Sequence, residues 1–317
     1  MTTQLQYGMG GDRPYSLYYQ HSGKTPLASI LLAGLAGIAI GIVLAYAYAY
    51  LDAYCPYAKG RALGTLAFGM GLGAATAAVA KVGKVRSLPV VLALVAAAAI
   101  VSYYFCWAFW VHAALDRFVD TKASGQLPTL GQFVTRPLLL FNAVRFFNRN
   151  GYWSTTSSAN DATTGVGLTI IWVIEAAAIL GLALVVAGAT VRASMFCEAC
   201  NRWCTKPVRL RATAAGDVAQ ARAALEAHDL AYLDRLGPAT SPVQFWTVEY
   251  EQCDQCSKLH AITIKSFKNT LNKKGEVKST KIKTVVNRLL LEPEEVATLR
   301  NPPQATAPVA PPPVSPA

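Results

Sequence analysis

The sequence predicts an α-helical membrane domain of four transmembrane helices followed by a small α+β soluble domain. Three observations carry that prediction. Of 317 residues, 53% are hydrophobic and only 15% charged, a balance that favours a membrane protein over two soluble domains. Long charge-free runs fill the first 190 residues, whereas most of the lysines and arginines lie from Arg192 onward. Beyond those runs stand two cysteine repeats of one pattern, C-x2-C-x3-[C/H]: Cys197 to Cys204 and Cys253 to His260.

The first span covers about 27–51 without a charged residue, long enough to cross roughly 30 Å of hydrocarbon at 1.5 Å per residue. A signal peptide would carry an apolar region of only about 7–15 residues, so this helix is expected to be retained. Cys55 lacks a lipoprotein context, because the bulky Tyr54 precedes it. The second span, about 62–80, holds Gly64, Gly69, Gly71 and Gly73, which let helices approach closely in lipid. Gly37/Gly41 and Gly69/Gly73 are two small-xxx-small pairs and suggest a tight hairpin around the 52–61 turn; such residues are also simply common in membrane helices. The third span, about 88–115, ends in an interfacial aromatic cluster from Tyr103 to Trp110, and the fourth covers about 165–190.

Lys81, Lys84 and Arg86 crowd the second loop, and Arg192, Arg202 and Lys206 follow the last span. The excess of basic residues puts both on the cytosolic side, with N and C termini inside, most simply in the cytoplasmic membrane. The expected organisation is thus a cytosolic segment 1–26, a transmembrane domain 27–190 with an extracytoplasmic loop 116–164, a cytosolic domain 193–300 and a Pro-rich tail 301–317. Within the loop, 133–147 reads as an amphipathic surface helix and 152–164 as polar turn; the tail composition predicts disorder.

Glu175 lies inside the fourth span, where an ionised carboxylate costs several kcal/mol. Either it is a protonated group bonded to a hydroxyl and serving assembly, or it is an ion or proton site of a transporter or channel component. Tyr46, Tyr48, Ser102 and Tyr103 are the candidate partners, and no lysine or arginine falls inside another predicted span.

In the tail, Asp217 in N-cap position and apolar residues at helical spacing predict one helix over 217–236, stopped by Gly237-Pro238. Alternation predicts three strands, at 246–250, 262–264 and 282–286, with a turn at 272–275. Thiolates three positions apart on a tight turn both reach one tetrahedral Zn²⁺, and two such turns close its shell. Cys197, Cys200, Cys253 and Cys256 are therefore the expected ligands of a structural Zn²⁺. Cys204 and His260, each leaving its turn, are second-rank candidates. Clustered spacing argues against scattered disulfides and for a reducing compartment, and no thioredoxin-like pattern surrounds the C-x-x-C pairs.

Three strands around two cysteine knuckles resemble a zinc ribbon. The resemblance covers only the tail, rests on Cys197/Cys200 and Cys253/Cys256, and implies no activity for the whole chain. The long intervening stretch, 201–252, makes the predicted helix an insertion. Zinc is expected to supply much of the folding free energy of so small a core.

The last hairpin carries Lys265, Lys268, Lys273, Lys274, Lys278, Lys281 and Lys283, with Lys258 and Arg288 beside them, against Glu276. Its expected partners are the lipid bilayer with its anionic headgroups or a protein at the cytosolic face, with nucleic acid as the alternative and a homo-oligomer a further one. No aromatic stacking stripe accompanies the lysines in sequence. No Ser/His/Asp set, Walker loop or HExxH occurs and the four histidines are scattered, so catalysis is not expected.

Overall fold

The computed structural model describes residues 16–55, 57–118, 127–151, 163–256, 258–274 and 276–300. They form two compact units: residues 22–193, and residues up to 21 together with 194 onward.

The helical unit contains four helices long and apolar enough to cross a membrane: α1 (Leu27–Tyr54), α2 (Ala58–Val82), α3 (Leu88–Phe118) and, after two shorter helices, α6 (Gly165–Arg192). Its surface is as greasy as its interior. Leu31, Leu35, Val43, Ile100 and Val185 are each two-thirds exposed, whereas Ala33, Ala45, Ala49, Ala98, Ala183 and Ala187 are sealed inside. Small residues inside and branched aliphatics outside is the distribution expected when packing, not exclusion from water, holds helices together.

Glycines set the approach of these helices, and not quite as their spacing suggests. A Cβ on Gly69 would stand 2.8 Å from the Ile179 carbonyl oxygen, and one on Gly73 would collide with the Ala183 backbone. The Gly69/Gly73 pair therefore seats α6, not α1. Contact between α1 and α2 is made elsewhere: at Gly64, against Leu51 and Tyr48, and at Gly37, whose surface receives Thr76. Gly64 is five residues, about 1.4 turns, from Gly69, so α2 presents the two glycine sites on different faces.

The helices also run further than hydropathy implies. Backbone bonds carry α1 through Tyr54, with the Cys55 N–H on the Leu51 carbonyl at 2.8 Å, and the extended conformation of Cys55, a residue that precedes a proline in the sequence, ends it. Asp52 consequently sits in the last turn of α1 and Arg61 in the first turns of α2, where charge-counting assigns both to a loop. The amphipathic segment becomes two helices, α4 (Leu130–Thr135) and α5 (Pro137–Asn150), because Arg136 precedes a proline and adopts a non-helical conformation. Most of the polar turn at 152–164 and all of 301–317 lie outside the described residues.

The second unit is built on a four-stranded antiparallel sheet, β3 (Val208–Ala214), β4 (Gln244–Gln252), β5 (His260–Leu271) and β6 (Val277–Leu290), in that order, beside a ribbon of β1 (Phe196–Cys197) and β2 (Arg202–Trp203). Strand β3 is absent from the sequence expectation. Its alternation of Val208, Leu210 and Ala212 is weak and is interrupted by a bulge between Arg209 and Arg211. The single helix expected over 217–236 is two, α7 (Val218–Glu226) and α8 (Ala231–Arg235), separated where His228 takes φ +61°. Asp217 caps the first by accepting the Gln220 N–H at 2.8 Å, and Gly237 at φ +68° ends the second. Leu225 and Leu233 from these helices pack on Trp246, Val248, Tyr250, Ile262 and Ile264, the apolar face of the sheet. A last helix, α9 (Pro293–Arg300), starts with the Glu292 N–H on the Glu295 carboxylate at 2.7 Å.

Residues 16–21 belong to this unit rather than standing as a separate segment. The Tyr19 N–H bonds the Arg288 carbonyl and the Leu290 N–H bonds the Leu17 carbonyl, each at 2.9 Å, so the N-terminal stretch extends the sheet at the β6 edge.

Candidate metal centre and the polar cluster of the helical unit

The first knuckle is the turn between β1 and β2. Asn201 takes φ +50° just after Cys200, a left-handed conformation that asparagine tolerates, and the chain reverses so that the Cys204 N–H meets the Met195 carbonyl at 2.8 Å. The second knuckle joins β4 to β5 and closes with the Cys253 N–H on the Leu259 carbonyl at 3.0 Å. Together they bring the sulfurs of Cys197, Cys200, Cys253 and Cys256 within 4.8 Å of one another. Cys197 Sγ and Cys256 Sγ are 3.6 Å apart. A tetrahedral metal with bonds of about 2.3 Å to sulfur needs sulfurs about 3.8 Å apart, so the set fits one ion with small adjustment.

The surroundings shift three of these thiols in opposite directions. Burial pushes Cys197 up, and the hydrogen bond to Cys256, then burial, pushes Cys200 up to about 12. Burial would raise Cys256 too, but bonds received from Cys200, the Lys258 backbone, Cys197 and Cys253 outweigh it and lower that thiol to about 7. The surroundings thus favour the thiolate at Cys256, and a bound dication would draw protons from the cluster.

Cys204 and His260 stay out of the cluster. Cys204 is a buried thiol held up at about 12, first by burial, and packs with Met195 and Leu259 behind the site. The Nδ1 of His260 is 2.6 Å from the Tyr250 hydroxyl, one strand away. Behind the first knuckle, Glu251 accepts the Met195 N–H at 2.8 Å and Arg288 Nε at 3.0 Å, joining ribbon to sheet.

Among family models, curated proteins and solved structures, none matches this chain. The cysteine cluster is compatible with a zinc-ribbon-like module, and no named family is recognised.

The basic hairpin formed by β5 and β6 is not uniformly free. Arg288 is turned inward to Glu251, and Lys265 pairs with Glu249 at 2.7 Å. Lys268 and Lys281 stand opposite each other, and the outer strand is exposed at every residue from 277 to 284. Asn272 makes the turn, its Oδ1 accepting the Lys274 and Glu276 N–H groups at 2.9 Å. Strand register also makes an aromatic contact that linear order hides: Phe245 and Phe267 stack 5.2 Å apart at 4°, with the Arg209 guanidinium over Phe245.

In the helical unit, Glu175 meets Tyr48 alone of its four candidate partners, the Tyr48 hydroxyl donating at 2.6 Å. Tyr46 is half exposed, Ser102 lies against Gly41, and the Tyr103 hydroxyl donates to the Trp172 carbonyl. Tyr48 also touches Thr65 at 2.9 Å, and Thr65 donates to the Arg61 carbonyl at 3.1 Å. Nearby, Asp52 accepts from Trp110 Nε1 at 2.8 Å and faces Arg61 Nε at 3.8 Å. Tyr48, Asp52, Trp110 and Glu175 share the lining of a cavity of about 20 Å³.

Proposed function

We propose that the chain is a multi-pass protein of the cytoplasmic membrane that presents a zinc-stapled module, N and C termini cytosolic, to anionic lipid headgroups. The observation that carries this reading is the hairpin. Among the described residues, no carboxylate pairs with Lys268, Lys273, Lys274, Lys278, Lys281 or Lys283. Each such lysine contributes about 1 kcal/mol when it lies near a charged bilayer. Val277 and Ile282, both more than half exposed on the same strand, add apolar contact at the headgroup boundary. The greasy exterior of the four helices supports insertion. An even number of crossings agrees with residues 16–21 and 194–300 sharing one unit. Four cysteine sulfurs within 4.8 Å of one another are a soft donor set that favours zinc over harder divalent ions.

The stacked Phe245 and Phe267, with Arg209, favour a second reading, contact with single-stranded nucleic acid, which pairs basic surface with aromatic faces. One experiment separates them. Full-length protein is reconstituted in neutral or anionic liposomes, and acetylation rates of Lys273, Lys278 and Lys281 are compared. Docking on headgroups slows modification in anionic liposomes and salt restores it. Equal rates in both liposomes reject it, and protection by added RNA in neutral liposomes supports the second reading.

A further inference from the structure

Glu175, Tyr48 and Thr65 form a chain of hydroxyl and carboxyl groups across three helices, from α6 through α1 to α2, ending on the Arg61 carbonyl. With Glu175 ionised, the Tyr48 hydroxyl donates to the carboxylate and the Thr65 hydroxyl donates to Tyr48. With Glu175 protonated, the direction reverses: the carboxyl donates to Tyr48, Tyr48 donates to Thr65, and Thr65 donates to the Arg61 carbonyl, its partner at 3.1 Å. Every hydroxyl hydrogen has an acceptor in both directions, and no heavy atom need move. A carboxyl kept only for helix packing needs one satisfied state; this one has two.

We propose that Glu175 is a reversible proton-binding site, loaded through the cavity it shares with Asp52. The cavity, about 20 Å³, exceeds the roughly 10–15 Å³ that one water requires, and Glu175, Asp52, Tyr48 and Tyr103 are among the residues that line it. Asp52 stands nearer the helix end: it lies in the last turn of α1, one turn beyond the Tyr48 that holds Glu175, with 18% of its side chain exposed. The groups facing the site are Tyr48 and Asp52 from α1, Arg61 from α2, Tyr103, Cys106, Trp107 and Trp110 from α3, and Trp172 from α6 itself. Arg61 sits with Asp52 at 3.8 Å and the Cys55 carbonyl, which its Nε reaches at 2.9 Å, and among the described residues its ion pair is with Asp52 and not with Glu175. The step balances simply: one proton passes from bulk water by way of Asp52 and a cavity water to a Glu175 oxygen, the hydroxyl chain reverses, and the site loses one negative charge.

This inference concerns the helical unit and stands apart from the headgroup reading of the other. The test is infrared difference spectroscopy of the full-length protein in liposomes, following carboxylic C=O stretches while the pH is stepped. One band that appears on acidification, shifts in D₂O and is lost in Glu175→Gln is the expected result. Tyr48→Phe should leave the band present at a changed frequency, because the carboxyl loses its hydroxyl partner but not its proton. Asp52→Asn should slow its appearance after a pH jump without abolishing it. The proposal is overturned if the Glu175 band is present at every pH, as a packing carboxyl requires, or if no band responds to Glu175→Gln in protein that remains folded.

Discussion

Glu251 and Arg288 meet at 3.0 Å with 4% and 12% of their side chains exposed, and the same carboxylate takes the backbone N–H of Met195, two residues before the first cysteine of the cluster. The pair exists because β6 bulges: Arg288 takes φ +53° and gives its N–H to the Thr263 hydroxyl, which turns its guanidinium inward across the sheet.

Removing one partner of such a pair leaves a charge buried. Glu251→Ala is expected to cost about 3–5 kcal/mol of the sheet unit's stability. Hydrogen exchange of the β4 to β6 amides in the full-length protein measures it; protection equal to wild type would show that the pair carries no net weight.

The metal prediction concerns stoichiometry and folding. Elemental analysis should return one zinc per chain, lost in Cys253→Ser and kept in Cys204→Ser. Stripping the ion with a chelator should collapse exchange protection of the ribbon and the adjoining end of the sheet, since binding free energy is folding free energy in a site of this kind. Two ions per chain, or a chelator without effect on protection, contradicts the assignment.

Glycine substitutions in the helical unit should divide sharply by position. Gly73→Ala puts a methyl into the Ala183 backbone and should cost at least about 1–3 kcal/mol, seen as a lower melting temperature in detergent. Gly181→Ala meets nothing within 4 Å and should be neutral or slightly stabilising. The reverse ranking would mean that α2 does not pack on α6 through this face.

Orientation has its own readout. Cys55 follows the first span and, with cytosolic termini, faces outward, whereas Cys200 and Cys256 face the cytosol. An impermeant maleimide on intact cells should label Cys55 and spare the other two until the membrane is opened and metal removed. Labelling of Cys200 from outside inverts the topology.

The cysteine knuckles, the four apolar helices, the Asp217 cap and the Gly237 stop are all legible in sequence, because each is a local pattern: spacing on a turn, an uninterrupted run, a capping side chain. Strand β3 and the break at His228 are not, since a bulge and a single left-handed residue obscure the periodicity that would announce them.

What the sequence determined by itself is therefore which residues can hold a metal, which segments suit lipid and where the positive charge accumulates. Tertiary structure decided which of those charges are free and which are engaged. It turned Arg288 inward, paired Lys265 with Glu249, stacked Phe245 on Phe267 and put Tyr48 of α1 against Glu175 of α6. These contacts join positions far apart along the chain, and their energies depend on strand register and helix rotation, which no local window of residues encodes.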